Sequence, residues 1–273
     1  MKTLSRIYTV LIFVILYIPI AVLVLFSFNS TGNTAVFTGF SLYWYRELFH
    51  SPDTFSALRN TLILAVSAAA LSTVIGTAAA VGISRMRRRA MKAAVNTVTN
   101  IPMMNPDIVT GISMLLLFVM VGTWIGYQDK LSFWTLLIAH ITFCLPYVIL
   151  SVQPRIRQMD RSLSEAALDL GCTPVQSFFK VELPNIAPGI ASGFVMAFTL
   201  SLDDFVISYF TSGSDFQTLP LLIYSMTKKE VKPDIYALST LIIVTVLLLL
   251  ILSNVLGARG DRKRTAQAKG GAQ

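Results

Sequence analysis

Charged residues are scarce in this chain, and that scarcity excludes most soluble folds. Only 13% of the 273 residues are charged, whereas 54% are hydrophobic and the mean hydropathy is +0.67. A typical soluble domain carries about 25% charged residues. The composition therefore predicts that the lipid bilayer is the solvent of this protein.

Cysteine and histidine are also rare, and the motifs of several enzyme classes are missing. The two cysteines, Cys144 and Cys172, imply no disulfide framework, and the two histidines, His50 and His140, lack the spacing of a zinc site. Neither a G-x-S-x-G nucleophile motif nor a G-x-x-x-x-G-K-[ST] phosphate loop occurs. We therefore expect no catalytic residue, metal or cofactor in this chain. His140 is interpreted as a hydrogen-bonding residue inside a helix bundle.

Six apolar segments are long enough to cross a bilayer as helices, which takes about twenty residues each. They are residues 7–28, 62–83, 95–121, 131–152, 188–210 and 235–256. Because no fixed-period repeat or long linker separates them, the sequence predicts a single all-α integral membrane domain with six transmembrane helices over residues 1–273. The second segment is rich in Ala and Gly, which indicates a position inside the bundle where backbones approach closely.

Basic residues are distributed unevenly between the two sides of these segments. Sixteen of the 22 lie on the side that holds the N-terminus, and six lie on the other side. The six are Arg46, Arg59, Lys130, Lys228, Lys229 and Lys232. Since cytoplasmic loops carry the excess of Lys and Arg, both termini, the polar loop 153–187 and the basic tail 257–273 are predicted to be cytoplasmic. This topology also explains the net charge of +8 without a nucleic-acid partner.

The first half of the polar loop predicts a short helix. Helix-forming residues occupy positions 162–170, with Glu165 in the first turn, where negative charge suits the helix dipole. Gly171 can then close the helix in the left-handed conformation. Ala166 and Ala167 leave little side-chain bulk, so a groove on another protein can receive this helix.

The second half of the loop predicts another helix. Thr173 is a suitable cap and Pro174 fits the first helical position. Leu183 and Pro184 are expected to stop this helix before the fifth apolar segment, because an interior proline breaks helical hydrogen bonding.

The third apolar segment is interrupted by Pro102, Asn105, Pro106 and Asp107. Each proline removes a backbone donor, and such breaks are tolerated at membrane depth only where protein or a water-filled cavity shields the backbone. Two interpretations of Asp107 stay open. It either faces lipid headgroups at the cytoplasmic rim or lies on a transport path.

The fifth apolar segment contains the adjacent carboxylates Asp203 and Asp204. An unpaired carboxylate at that depth costs several kcal/mol, so each should face protein, water or a cation. In a continuous helix Asp204 shares a polar face with Ser201 and Ser208. We therefore expect Asp204 to line a path for an ammonium group and Asp203 to make structural hydrogen bonds. Tyr209 can add a cation–π contact. The alternative is that the acidic pair forms a buried bridge to a basic residue or makes hydrogen bonds within the bundle.

Several motifs distributed along the chain resemble those of a known transporter family. They are Tyr17-Ile18-Pro19-Ile20, Ser27-Phe28-Asn29-Ser30, Trp44-Tyr45, Pro106-Asp107-Ile108-Val109, His140-Ile141-Thr142-Phe143-Cys144, Glu165-Ala166-Ala167 with Gly171 and Val181-Glu182-Leu183-Pro184, and Phe198-Thr199-Leu200-Ser201-Leu202-Asp203-Asp204. Together they are similar to the PotC-type permeases of spermidine/putrescine ABC importers.

This resemblance implies a fold, partners and a cargo. The fold is the type I importer permease (MetI-like) fold, and the EAA loop is its coupling segment, carried here by Glu165, Ala166, Ala167, Gly171, Leu183 and Pro184. The implied partners are a dimer of ATP-binding subunits that holds ATP and Mg²⁺, a second homologous permease subunit and an extracytoplasmic polyamine-binding protein. Another organic cation or an aminophosphonate is the alternative cargo, and a channel or an intramembrane enzyme is the less favoured alternative class.

Overall fold

The computed structural model describes residues 2–31, 36–126, 131–214, 216–228, 234–248 and 251. The predicted basic tail 257–273 lies outside the described residues, as do Lys130, Lys229 and Lys232. The described chain is helical, with one isolated antiparallel bridge between Asn29 and Phe40.

The helices follow one another with short connections. They are α1 (Lys2–Phe26), α2 (Tyr43–His50), α3 (Pro52–Arg85), α4 (Arg89–Met104), α5 (Asp107–Ile125), α6 (Phe133–Gln158), α7 (Arg161–Asp169), α8 (Pro174–Ser177), α9 (Leu183–Asp203), α10 (Val206–Thr211), α11 (Leu219–Thr227) and α12 (Asp234–Leu248). A π-helical turn, Phe178–Glu182, joins α8 to α9.

Five helical stretches are long and apolar enough to cross a membrane. They are Arg6–Phe26, Pro52–Arg85, Asp107–Ile125, Phe133–Gln158 and Pro174–Asp203. The shorter apolar helix α12 coincides with the first part of the predicted sixth segment. The architecture is that of a multi-pass, all-α membrane protein, as the hydropathy of the sequence predicts.

The predicted third span, 95–121, is wrong as a single helix. The chain leaves helical geometry at Asn105 and Pro106, both with extended ψ values of 142° and 135°, so α4 and α5 are separate. The apolar spanning helix is α5. Pro102 lies inside α4 without ending it. Pro106 therefore causes the break, because a proline disfavours helical geometry in the residue before it, here Asn105.

The chain groups into two compact units, which are described separately. The first comprises residues 1–59 and 218–249. Its apolar core is built by Leu48 of α2, Ala57 of α3, Leu219 and Leu222 of α11, and Leu238 of α12. The single permease domain expected from the sequence stays a prediction.

The second unit is described over residues 60–217, and α3, α6 and α9 form its core. Small residues at helical spacing on α3 are fully buried, among them Ala65, Ala68, Ala69, Ser72 and Ala80. A side chain at Gly76 would meet the Val148 side chain of α6. This confirms the prediction that small residues of the second apolar segment permit close backbone approach inside the bundle.

Candidate functional site

The first candidate region is a break in the last membrane helix of the second unit. α9 ends at Asp203, Asp204 has an extended backbone (φ −66°, ψ 123°), and α10 begins at Val206. The expected continuous helix over 188–210 is therefore wrong. The Asp204 carboxylate accepts hydrogen bonds from the backbone N–H groups of Ile207, at 3.2 Å, and Ser208, at 2.8 Å. It thereby satisfies donors that the first turn of α10 leaves free.

His140 of α6 connects this break to the rest of the bundle. Its Nδ1 lies 2.8 Å from Ser201 Oγ, and its Nε2 lies 3.0 Å from Ser208 Oγ and 3.5 Å from Asp204 Oδ2. The side chains of His140 and Asp204 are 1% and 6% exposed. The interpretation of His140 as a hydrogen-bonding bundle residue is confirmed. The same four side chains join α6, α9 and α10 through a buried polar cluster.

The hydrogen bonding and exposure of the two carboxylates differ from what the sequence led us to expect. Asp204 makes the structural hydrogen bonds, whereas Asp203 is exposed and, within the described part of the chain, its carboxylate accepts no hydrogen bond. The helix break causes the difference, because it ends the 3.6-residue periodicity on which the predicted polar face depended. Ser201, Ser208 and Asp204 do lie close together, as expected, but all three face the His140 ring. Tyr209 is 48% exposed, and cargo contact by any of these residues stays a prediction.

Asp107 lies at the second helix break, in the first turn of α5, and its side chain is exposed. One turn later, a side chain at Gly111 would lie 2.8 Å from Phe210 and 3.5 Å from the backbone oxygen of Val206. The start of α5 therefore packs directly against α10. The break before α5 and the break between α9 and α10 therefore lie near each other in the second unit.

The second candidate region is the polar loop, and its first helix is confirmed as α7. Asp160 caps α7 by accepting a hydrogen bond from the Ser162 backbone N–H at 3.0 Å. Gly171 ends the turn after α7 with a φ of +86°, the left-handed conformation that the sequence predicts. Thr173 and Gln176 exchange hydrogen bonds in a capping box that begins α8.

The expectation that Leu183 and Pro184 stop the second helix is wrong. The chain continues from α8 through the π-helical turn into α9, which begins at Leu183. The Leu183 N–H bonds to the Phe178 carbonyl, five residues back, so the wider turn shifts the hydrogen-bond register just before Pro184. Proline is then placed in the first turn of α9, where its missing N–H removes little.

The side chains of α7 divide into an inner and an outer set. Ala167 is 8% exposed and faces the protein. Glu165 and Ala166 are exposed, and the apolar Leu168 and Leu170 are 43% and 86% exposed. The outer set is a small apolar surface beside a carboxylate, on a helix that is not one of the membrane-spanning stretches.

An ion pair that sequence reasoning missed attaches this loop to α3. Arg85 Nη2 donates to both oxygens of Glu182, at 3.0 and 2.8 Å, and Ser164 Oγ donates to Glu182 Oε1 at 3.0 Å. The Arg85 guanidinium also lies 5.9 Å from the centre of the Phe178 ring. Arg85 and Glu182 are 97 residues apart, and no local pattern pairs them.

Comparison with known proteins identifies the family. Residues 72–265 match the family described as the binding-protein-dependent transport system inner membrane component. The chain belongs to this family. It is a transport subunit of the inner membrane.

Curated relatives extend the similarity over nearly the whole permease chain. It is 41% identical over 252 residues to the putrescine transport system permease protein PotI of Escherichia coli K12, covering 92% of this chain and 90% of that protein. It is 40% identical to the spermidine/putrescine transport system permease protein PotC of Haemophilus influenzae, covering 92% and 95%, and 39% identical to PotC of E. coli K12, covering 94% and 95%.

Solved structures show the same fold at lower identity. One is a bacterial ABC transporter involved in the import of the acidic polysaccharide alginate, with a TM-score of 0.76, 19% identity, and coverage of 94% of this chain and 95% of that chain. Another is the MetNI methionine ABC transporter, with a TM-score of 0.60, 16% identity, and coverage of 74% and 93%. These neighbours show that the fold is that of an ABC importer permease.

Proposed function

We propose that this chain is the membrane-spanning permease subunit of an ATP-driven importer that carries polyamines such as putrescine and spermidine. The support for the cargo is the 39–41% identity to permeases named for these molecules. A second permease subunit, a dimer of ATP-binding subunits and an extracytoplasmic binding protein complete the transporter. Both termini and the loop 153–187 are cytoplasmic, because sixteen of the 22 basic residues then lie on the inner side.

The outer surface of α7 is the observation that carries the coupling part of this proposal. Ala166 is small and exposed, Glu165 is charged and exposed, and Leu170 is 86% exposed at the end of the helix. A groove on each ATP-binding subunit receives such a surface. ATP and Mg²⁺ are held by those subunits, and their closure moves α7, so that the bundle alternates between outward and inward access.

The exposed carboxylates at the two helix breaks support a cationic cargo. Asp203 and Asp107 attract an ammonium group, and the exposed Tyr209 ring adds a cation–π contact. We assign cargo contact first to Asp203. Asp204 acts by holding the break in place through its cap on α10 and its contact with His140.

Transport by the complete complex in proteoliposomes tests the cargo. We expect ATP-dependent uptake of radiolabelled putrescine or spermidine in the presence of the binding protein. Excess unlabelled putrescine should abolish it, and 1,4-butanediol, the uncharged diol of the same length, should not. An absence of polyamine uptake by a complex that hydrolyses ATP would contradict the cargo but not the permease role.

Copurification of the ATP-binding subunit tests the coupling surface. Ala166→Trp places a large side chain on the outer surface of α7 and should prevent copurification. Ala90→Trp is the matched control, because Ala90 is an exposed alanine on α4, another helix of the same unit. Equal retention of the ATP-binding subunit by both variants would contradict the proposal.

A further inference from the structure

Glu182 is the centre of a small network that joins three helical elements of the second unit. It lies in the π-helical turn, it accepts both hydrogen bonds from Arg85 at the end of α3, and it accepts one from Ser164 of α7. Ser164 also lies 3.1 Å, Oγ to Oγ, from Ser177 at the end of α8. Ser164 immediately precedes Glu165, so the network reaches the coupling surface itself.

The Glu182 carboxylate lies between donors from two different helices. The Nη2 nitrogen of Arg85 is close to both of its oxygens, and Ser164 Oγ donates to Oε1. The Glu182 side chain is 16% exposed, whereas that of Arg85 is 55% exposed. Because the guanidinium is half exposed, solvent screens the pair and limits its contribution to stability. The pair does connect the end of α3 to the π-helical turn and, through Ser164, to α7.

The covalent chain connects α7 through α8 and the π-helical turn to α9. The ion pair adds a connection to α3, the helix whose buried small residues pack against α6 at Gly76 and Val148. α9 packs against α6 as well, with Gly193 beside Val148, so α3, α6 and α9 share one core. Through the ion pair, a displacement of α7 acts on this core at α3 as well as at α9.

We propose that Arg85 and Glu182 are positioning residues that transmit the movement of α7 to α3, so that ATP hydrolysis and transport stay coupled. This inference rests on the proposed coupling function of α7. The ion pair adds a side-chain connection from the π-helical turn to α3, beside the backbone connection from α7 to α9. Without the pair, we expect the protein to stay folded and bound to its ATP-binding subunit, but the complex should hydrolyse more ATP for each cargo molecule that it imports.

The test is the number of cargo molecules imported per ATP hydrolysed by the complete transporter with its binding protein. Arg85→Gln and Glu182→Gln should each lower this ratio at least threefold, with unchanged copurification of the ATP-binding subunit and unchanged melting temperature. Arg87→Gln is the matched control, because Arg87 is an exposed arginine two residues away. It should keep the wild-type ratio.

A double-variant cycle shows that the two residues act as one pair. Arg85→Gln with Glu182→Gln should be no worse than the more damaging single variant, because each single change already breaks the same connection. Wild-type ratios in both single variants, additive losses in the double variant, or an equal loss in Arg87→Gln would each overturn the inference. A wild-type complex without an associated ATP-binding subunit would instead refute the proposed function, which keeps the two failures distinct.

Discussion

Asp203 and Asp204 are neighbours in the chain, but their carboxylates lie in opposite surroundings. Asp204 Oδ2 is 3.5 Å from His140 Nε2 in a side chain that is 6% exposed, whereas Asp203 is exposed at the end of α9. The break between α9 and α10 makes this possible, because residues adjacent in a break need not keep the 100° rotation of a helix. One carboxylate can thus serve the fold and the other can meet a cation.

Replacing each carboxylate by its amide separates these roles. Asp203→Asn should raise the KM for polyamine uptake by roughly tenfold, about 1.4 kcal/mol, with normal amounts of complex in the membrane. Asp204→Asn should instead lower the thermal stability of the purified protein, because the amide keeps one acceptor oxygen where the carboxylate accepts from both Ile207 and Ser208, and because it removes the charge beside His140. Uptake measured over a range of cargo concentrations, beside thermal unfolding, distinguishes the two effects. A raised KM in Asp204→Asn with a normal KM in Asp203→Asn would reverse the assignment.

The loss of His140 should destabilise the bundle. His140→Ala leaves Ser201, Ser208 and Asp204 without a shared partner in a site where His140 is fully buried. Unsatisfied buried polar groups cost about 1–3 kcal/mol each, so we expect a loss of about 3 kcal/mol in the free energy of unfolding. Denaturant titration of the detergent-solubilised protein measures it.

Thr142→Val is the matched control for His140→Ala. Thr142 is exposed on the same helix and bonds the carbonyl of Ile138 within that helix. A surface change of this kind should alter the free energy of unfolding by less than about 0.5 kcal/mol. Equal effects of the two substitutions would show that the buried polar cluster contributes nothing specific.

Local chemistry explains why the sequence predicts the polar loop well. Gly171 and Thr173 act on their own backbone or on residues three positions away, so the left-handed turn and the α8 cap follow from their types alone. The error at Pro184 is also local in origin. A proline in the first turn of a helix and a proline that ends one have the same sequence appearance, and the π-helical turn that decides between them has no simple pattern.

The helix break at Asp204 could not be predicted from the sequence, because no proline or glycine lies at residues 203–206. Its stabilising partner, His140, is 61 residues from Ser201 and 68 residues from Ser208. By contrast, Pro188 lies inside α9 without ending it. The position of the break is therefore set by contacts with the distant His140 and not by a helix-breaking residue nearby. The pair of Arg85 and Glu182 escaped sequence reasoning for the same reason.

Two glycines of α3 should respond oppositely to the same substitution. A Cβ atom at Gly76 would lie 2.7 Å from Val148 Cγ1, whereas a Cβ atom at Gly82 would meet nothing within 4 Å. Gly76→Ala should destabilise the protein by about 1–3 kcal/mol through overpacking. Gly82→Ala should stabilise it by up to about 1 kcal/mol through helix propensity.

Denaturant titration of both variants tests the packing of α3 on α6. Val148→Ala should make Gly76→Ala less harmful than it is alone, because the shortened side chain leaves room for the new methyl group. A Gly76→Ala protein as stable as Gly82→Ala would contradict the close approach of the two helices.

The Asp160 cap of α7 should weaken in acid. Hydrogen bonds from the backbone N–H of Ser162, and then from its side chain, hold the pKa of Asp160 below its ordinary value. A carboxyl group whose pKa is lowered by folding contributes its stabilisation above the pKa of the unfolded chain. It loses that contribution as the pH falls through the lowered value. The first turn of α7 should therefore open more easily in acid.

Hydrogen exchange of α7 in nanodiscs measures this opening when wild type and Asp160→Asn are compared at each pH. Asparagine also caps helices but does not titrate, so it cancels the intrinsic pH dependence of exchange. The ratio of wild-type to variant protection should be highest near neutral pH, where the ionised carboxylate also interacts favourably with the helix dipole, and should fall in acid. Asp160→Ala should lower protection at every pH. If the ratio of wild-type to Asp160→Asn protection does not change with pH, the Asp160 charge does not stabilise α7, the helix that carries Glu165 and Ala166.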